Sequence, residues 1–243
     1  MSEALNGFEP YQKEILKGLE GKILNHPDFV APETYGQIFD AADLKAGDTV
    51  LDLGAGYIHV LEDHSYTHQL EDRGLILIPI DDTVERLESW MLHPYHQRRE
   101  NETVVRPVTA DVTDTPFKNE SVAFALSINL INAPIEKSAE QILAEAHRVL
   151  KPTGQFLISS FGYDKMQKPD GTVVYNNGFT EDQFVTAEYV KRMAIEVGFA
   201  EVEELPLDQA RIDAEFAAVQ EIIERNGDHL LEIVHPFAVL LKK

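Results

Sequence analysis

Apolar positions along this chain follow two rhythms. Short continuous runs at 49–53, 75–80, 103–108, 122–128 and 155–160 are rich in Val, Ile, Leu and Phe. Runs of that length predict strands buried on both faces, as in a parallel sheet. Elsewhere apolar residues recur three and four apart, which predicts helices packed by one face. Tyr11, Ile15, Leu16 and Leu19, then Ile38 and Phe39, mark helical segments within the first 45 residues. Val84, Leu87 and Met91 accompany Asp82-Thr83-Val84-Glu85, which has the spacing of a capping box. Ile142, Leu143, Ala146, Val149 and Leu150 follow a second box, Ser138-Ala139-Glu140-Gln141, and Lys151-Pro152-Thr153-Gly154 ends that helix. A helix at 186–197 stops at Gly198, a strand at 201–205 and a helix at 210–225 follow, and a last strand covers 237–241.

Strands alternating with helices predict an α/β fold with a mainly parallel sheet. The length, 243 residues, suits one domain. Pro107 lacks an amide donor and places the third strand at an edge; Pro79 sits near the end of the second, where the ladder splays. Residues 162–185 read as a long polar loop, a length usually tied to function.

Composition narrows the classes. Cysteine is absent, which excludes disulfides and thiolate metal sites and leads to an expected cytoplasmic location. The N-terminus, MSEALNGFEPYQKEILKG, lacks the apolar core of a signal peptide. No apolar run approaches the roughly 18 residues of a membrane span. With 42 acids against 21 bases the formal charge is −21. Such a field repels phosphate backbones and anionic lipid, so no nucleic acid and no membrane partner is expected. Five of the nine histidines (His59, His64, His68, His93 and His96) cluster, and His64 and His68 lie four apart near Asp63 and Glu71. Those are zinc or iron ligand types, but a solvated helix face is the simpler account, and no metal is expected.

The first apolar run enters VLDLGAGYIH at 50–59. In a parallel α/β sheet, ligands sit at the carboxyl ends of the strands. Gly54 and Gly56 let backbone amides come close, and the following helix aims its N-terminus there. Asp81 and Asp82 end the second strand, 27 and 28 residues after Gly54. A carboxylate there can accept both hydroxyls of a ribose, although Asp82 also suits a helix cap. Asp111 follows the third strand in Thr109-Ala110-Asp111-Val112, where it can accept the exocyclic amine of adenine. The fourth strand ends in Ser127-Ile128-Asn129, beneath the reacting end of such a ligand. A dinucleotide fingerprint, G-x-G-x-x-G, asks for glycine at the position of His59.

Together these segments resemble the class I S-adenosylmethionine-dependent methyltransferases. VLDLGAG is similar to the family's first motif and IPIDD to its acidic second motif. ADVTDTPFKNESVAFALSINL resembles the stretch that holds an adenine-reading acid, a Pro-Phe turn and the fourth strand. AEAHRVLKPTGQFLIS resembles the helix, Lys-Pro-x-Gly turn and fifth strand after it. The likeness covers about 45–162, with an echo in VTAEYVKRMAIEVGFAEVEEL. It implies a Rossmann-like, seven-stranded, mainly parallel sheet with an antiparallel last strand and helices on both faces. It also implies S-adenosyl-L-methionine as cofactor, within one methyltransferase-like domain over 1–243. By resemblance, Asp52 orients the turn, and Gly54, Ala55 and Gly56 pass under the methionine part. Asp81 holds the ribose with Asp82 beside it, Asp111 and Val112 border the adenine, and Ser127 and Asn129 lie near the sulfonium. The chain departs from the family in having Ile58 where a third glycine is common. Its 29-residue spacing from Asp52 to Asp81 is longer than in compact members, and 122–124 lacks an acid that is frequent there.

Methyl transfer from a sulfonium is an in-line displacement whose leaving group is already activated, so alignment is the protein's main task. A base is needed only when the acceptor must lose a proton. His59, Tyr163 and Tyr175 are the candidates. The acceptor is expected to be walled by an N-terminal helical cap over 1–45, including Tyr35, and by the substrate-side loop 162–185. No G-x-S-x-G motif occurs, and 129–134 is not the Asn-Pro-Pro-aromatic motif of amino-methylating nucleic acid enzymes. The expected function is methylation of a small, neutral or cationic acceptor by a monomer or homodimer. Two other readings use the same residues: a non-catalytic binding or regulatory module, and a protein methyltransferase.

Overall fold

Residues 30–56, 69–70, 73–84, 86–87, 104–128, 130–131, 139–160, 163–175, 185–225, 227–234 and 236–243 are described by the computed structural model. They form α1 (Pro32–Ala41), β1 (Thr49–Leu53), β2 (Ile76–Asp81), β3 (Val104–Val105), β4 (Val108–Thr109), β5 (Val122–Ile128), α2 (Ala139–Val149) and β6 (Leu150–Ser160). Then follow β7 (Tyr163–Gln167), β8 (Val173–Tyr175), α3 (Ala187–Val197), β9 (Glu201–Glu204), α4 (Gln209–Arg225), β10 (His229–Val234) and β11 (Phe237–Lys242).

The main sheet runs β3-β2-β1-β5-β6-β11-β9, with β4 also on β2. β1 pairs in parallel with β2 and β5, and β5 with β6. β11 is antiparallel to both β6 and β9. The chain therefore starts mid-sheet, steps outward to β2 and its edge, and returns to β5 on the other side of β1. That reversal makes the β1/β5 boundary the switch point of the sheet, where a crevice opens at the carboxyl ends.

The predicted third strand is two pieces. β3 pairs at Ile76↔Val104 and Leu77↔Val105, and β4 resumes at Ile80↔Val108. The gap is Arg106-Pro107, opposite Ile78 and Pro79. Leu75, Leu77 and Asp81 accept from Val104, Arg106 and Ala110, so odd positions of β2 address this edge. Pro79 therefore offers no donor at the gap, and Pro107 turns its missing donor to the outside, as an edge strand tolerates.

Side chains alternate across the sheet into two apolar layers. Leu51, Leu53, Ile80, Ala125, Phe156, Ile158, Val239 and Leu241 meet α2 and α3 on one face. Val50, Leu77, Phe124, Leu126, Leu157 and Leu240 meet α1 on the other. Burying each large apolar side chain is worth about 1.5–3 kcal/mol. Phe39 of α1 sits edge-on to Phe124, with ring centroids 5.2 Å apart. Thus α1 is a layer of the core. Tyr35, expected at a substrate wall, is fully buried beside Phe39. Val84 also departs from its pattern: it is exposed, whereas Leu87 is buried.

Residues 163–175, predicted as loop, are instead β7 and β8. They form a second sheet, β10-β7-β8. Phe237 faces Ser160 in the main sheet and Val234 faces Tyr163 in the small one. The two pairings share one offset, so β7 and β10 extend the antiparallel pair of β6 and β11 beyond the carboxyl end of the main sheet. Met166, Leu230 and Ile223 form a separate core there, with Val174 and Phe216 against it. The ion pair of Lys168 with Asp228, 2.5 Å, ties the two turns of this unit.

α3 keeps its predicted ends. Thr186 Oγ1 accepts the Tyr189 amide, and Gly198 closes the helix at φ 115°. His147 of α2 packs edge-on against Phe199, ring centroids 5.0 Å apart. The Lys243 ammonium donates to the His147 and Leu150 carbonyls at 2.8 and 2.9 Å. Burial first, and this ammonium second, lower the His147 pKa below its ordinary value of 6.5. A histidine with a depressed folded pKa contributes stability above about pH 6.5 that is lost as pH falls through its folded value. Urea midpoints at pH 7.5 and 5.5 are therefore expected to fall less in His147→Gln than in the wild type.

Candidate functional site

Four strand tips converge beside the switch point. β1 ends at Leu53, just before Gly54, and β2 at Asp81; β4 runs into Ala110 and Asp111, and β5 ends before Leu130. Gly54 and Ala55 donate to the Ile80 carbonyl at 2.8 and 2.9 Å, which folds the glycine turn back onto β2. Gly54 has φ +75° and Gly56 φ +57°, both in the region that favours glycine. A Cβ on Gly54 would lie 2.5 Å from Leu130 Cδ1, so the tips of β1 and β5 touch across the switch point. A Cβ on Gly56 would meet the Gly54 carbonyl oxygen at an ordinary 3.9 Å, so its backbone conformation is what calls for glycine.

Asp81 is the hub. It is 3% exposed. Its Oδ2 accepts the Gly56 amide at 3.0 Å, and its Oδ1 accepts the Thr83 amide at 3.0 Å. Arg86 reaches the same Oδ1 at 3.4 Å. Asp82, by contrast, is exposed and accepts the Thr83 hydroxyl at 2.9 Å. Of the two acids that end β2, Asp81 is the one tied to the glycine turn.

Ala110 hangs from the Asp81 carbonyl at 3.0 Å. Asp111 Oδ1 accepts the amide and hydroxyl of Thr113, at 2.8 and 2.7 Å, so the acid is held in a tight turn. Val112 is buried in the core. Asp52 is buried in β1, in register with Pro79 and Leu126. Ser127 is fully buried, and its Oγ has no protein partner among the described residues.

Below this loop lies a buried ionic cluster. Glu145 of α2, 6% exposed, accepts the Thr115 amide and hydroxyl at 2.7 and 2.5 Å. Arg148 donates to both of its oxygens, at 2.7 and 2.6 Å. Burial pushes the Glu145 pKa up, but bonds from Arg148 and Thr115 outweigh it and hold the carboxyl below its ordinary value.

The structure thus gathers Gly54, Ala55, Gly56, Asp81, Asp111, Val112 and Ser127 at adjoining tips. Asn129, His59, Tyr57, Ile58 and the remaining clustered histidines lie outside the described residues. Tyr175 is half-buried on β8, opposite Lys165. Among the described residues no group of three His, Asp or Glu is arranged to hold a metal ion, and no helix is long and apolar enough to cross a membrane. Sequence reasoning missed Leu130, Arg86 and the Glu145 cluster. The i,i+3 spacing of Glu145 and Arg148 was a signal; Thr115, 30 residues earlier, was beyond any local pattern.

A family model described as a methyltransferase domain matches residues 51–158. An uncharacterized 37.1 kDa protein in a transposon of Streptomyces fradiae is 26% identical over 198 residues, covering 79% of this chain and 54% of its own length. Sterol methyltransferase-like 1 of Botryococcus braunii is 35% identical over 89 residues, 31% of this chain and 21% of its own. The chain therefore spans about half or less of these curated relatives. Among solved structures, 1,6-didemethyltoxoflavin-N1-methyltransferase of Burkholderia thailandensis, with 1,6-didemethyltoxoflavin and S-adenosylhomocysteine bound, superposes with a TM-score of 0.55. It is 18% identical, with 100% of this chain and 88% of that chain covered.

Asp81→Ala leaves two amides without their acceptor and is expected to lower unfolding free energy by about 1–3 kcal/mol. Asp82→Ala is expected to change it by less than about 0.5 kcal/mol. Urea unfolding of both variants checks the pair.

Proposed function

We propose that the chain is a class I S-adenosylmethionine-dependent methyltransferase, a reading supported by the methyltransferase-domain model over residues 51–158, and that it binds S-adenosyl-L-methionine at the tips of β1, β2, β4 and β5 and methylates a small-molecule acceptor. One observation carries the reading: the buried Asp81 carboxylate bonded to the Gly56 amide at the switch point. It joins a carboxylate for a ribose and an amide-lined glycine turn in one cradle.

The residues suit the cofactor. Each carboxylate oxygen offers two acceptor sites. Asp81 Oδ2 takes the Gly56 amide and has capacity for a ribose hydroxyl. Gly54 and Gly56 let the backbone approach the methionine part. Asp111, locked by Thr113, faces its task in a fixed rotamer, and Val112 anchors the loop beneath it. The Ser127 hydroxyl, buried without a protein partner among the described residues, stands at the tip assigned to the reacting end.

When bound, the cofactor would supply an activated methyl group on a positively charged sulfur. The chain's own task is alignment. The nucleoside is gripped on one side of the switch point, and the ribbon of β6, β7, β10 and β11 rises on the other. On this reading the small sheet, with Tyr175, borders the acceptor. A small acceptor is supported by the Burkholderia thailandensis structure, which holds one. The charge of −21 favours neutral or cationic acceptors over anionic ones.

Calorimetric titration with S-adenosylhomocysteine is expected to give one site per chain, with no heat from NAD. Asp81→Ala is expected to weaken that site at least about tenfold, the loss of a hydrogen bond to a charged group. Absence of binding by the folded wild type overturns the proposal. Binding together with methyl transfer to polypeptide alone would make the acceptor a protein.

A further inference from the structure

The mechanism does not use the buried cluster beneath the 111–117 loop, although it is the most heavily bonded ionic group among the described residues. Four of its bonds converge on Glu145, two from Thr115 and two from Arg148. Arg148 goes on to hold the loop's main chain, donating to the Thr115 carbonyl at 3.2 Å and the Phe117 carbonyl at 2.8 Å. It also donates to Asn119 Oδ1 at 2.8 Å.

An ion pair whose carboxylate is buried and whose guanidinium is partly exposed is a poor route to stability, since desolvation of the acid and solvent screening of the base offset its attraction. It does fix geometry, because each partner is satisfied in one arrangement only. Here that geometry belongs to the loop. Its start hangs from Asp81 through Ala110, its middle is pinned by Asp111 on Thr113, and its end is bolted to α2. Glu145 lies under the loop at 6% exposure, so it acts on a ligand only through the loop.

We propose that Glu145 and Arg148 are positioning residues for the adenine end of the cofactor, acting through Thr115 to hold Asp111 and Val112 in their binding arrangement. This rests on the cofactor reading above. A loop already ordered by the cluster gives up no conformational freedom when the base docks, whereas a loosened one must be ordered at the expense of affinity.

The test compares S-adenosylhomocysteine with its deaminated analogue, S-inosylhomocysteine, in which an oxygen replaces the exocyclic amine that Asp111 is assigned to accept. Calorimetry on the full chain gives both affinities for wild type, Glu145→Gln, Thr115→Val and Asp111→Ala. Thr115→Val removes one hydroxyl and leaves the Glu145–Arg148 pair intact, so it carries the test even where Glu145→Gln fails to fold. The expected result is a loss of about tenfold for S-adenosylhomocysteine and a far smaller one for the analogue. The preference for the amine thus shrinks, and Thr115→Val adds nothing further to Asp111→Ala. Equal weakening of both ligands, or unchanged affinity in a folded variant, overturns the positioning role. Failure of the wild type to bind either ligand strikes at the cofactor reading itself, and the two failures are thereby told apart.

Discussion

β1 has a strand on each edge and side chains buried on each face. Both of its main-chain edges are satisfied in parallel ladders, so it cannot shift register without breaking two of them. Its even and odd positions feed different apolar layers, and each layer needs its own helices. The site inherits this rigidity. The glycine turn leaves β1 at a point set by two neighbours, and its amides are returned to β2 by the Ile80 carbonyl and the Asp81 carboxylate. Among the described residues, the short bonds that shape the cradle are made by main-chain amides and the Asp81 carboxylate, with Arg86 reaching it at the longer distance of 3.4 Å.

The acids of this chain divide by burial. Many are exposed and keep a highly charged molecule in solution. Asp52, Asp81 and Glu145 are withdrawn from water, and burial of a carboxylate is tolerated only where donors replace the lost solvent. Asp81 finds them in the glycine turn and the Thr83 amide. Glu145 finds them in Thr115 and Arg148. Each buried acid described this way therefore marks a place where two segments of chain are joined, and both joints support the same group of strand tips.

The small sheet follows from a different economy. Beyond β6 and β11, the strands β7 and β10 pair at the same offset up to a register shift between Glu232 and Leu230, and β8 adds a third strand. A two-stranded ribbon alone is marginal in water. The third strand and the packing of Ile223 and Phe216 from α4 give it an apolar face of its own. The extension stands on the side of the sheet where the strand tips gather, so building it also builds a wall there.

The α/β class, the parallel core strands, α2, α3 and the glycine turn were legible because each is written in a local pattern: continuous apolar runs, a 3.6-residue period, a threonine cap and a glycine stop. Pro107 foretold its edge for the same reason, a missing donor being a property of one residue. The second sheet was illegible because β7 and β8 are short and the strand that β7 pairs with on its other edge lies more than 50 residues downstream. Tyr35 and Val84 were misplaced because periodicity gives a helix its face but not what the face meets. The candidate acids were readable as residues at strand ends. Which of Asp81 and Asp82 serves the turn, and that Glu145 serves a loop 30 residues away, was decided by packing. A sequence states which groups must be buried or bonded; only the folded chain determines which partner reaches them.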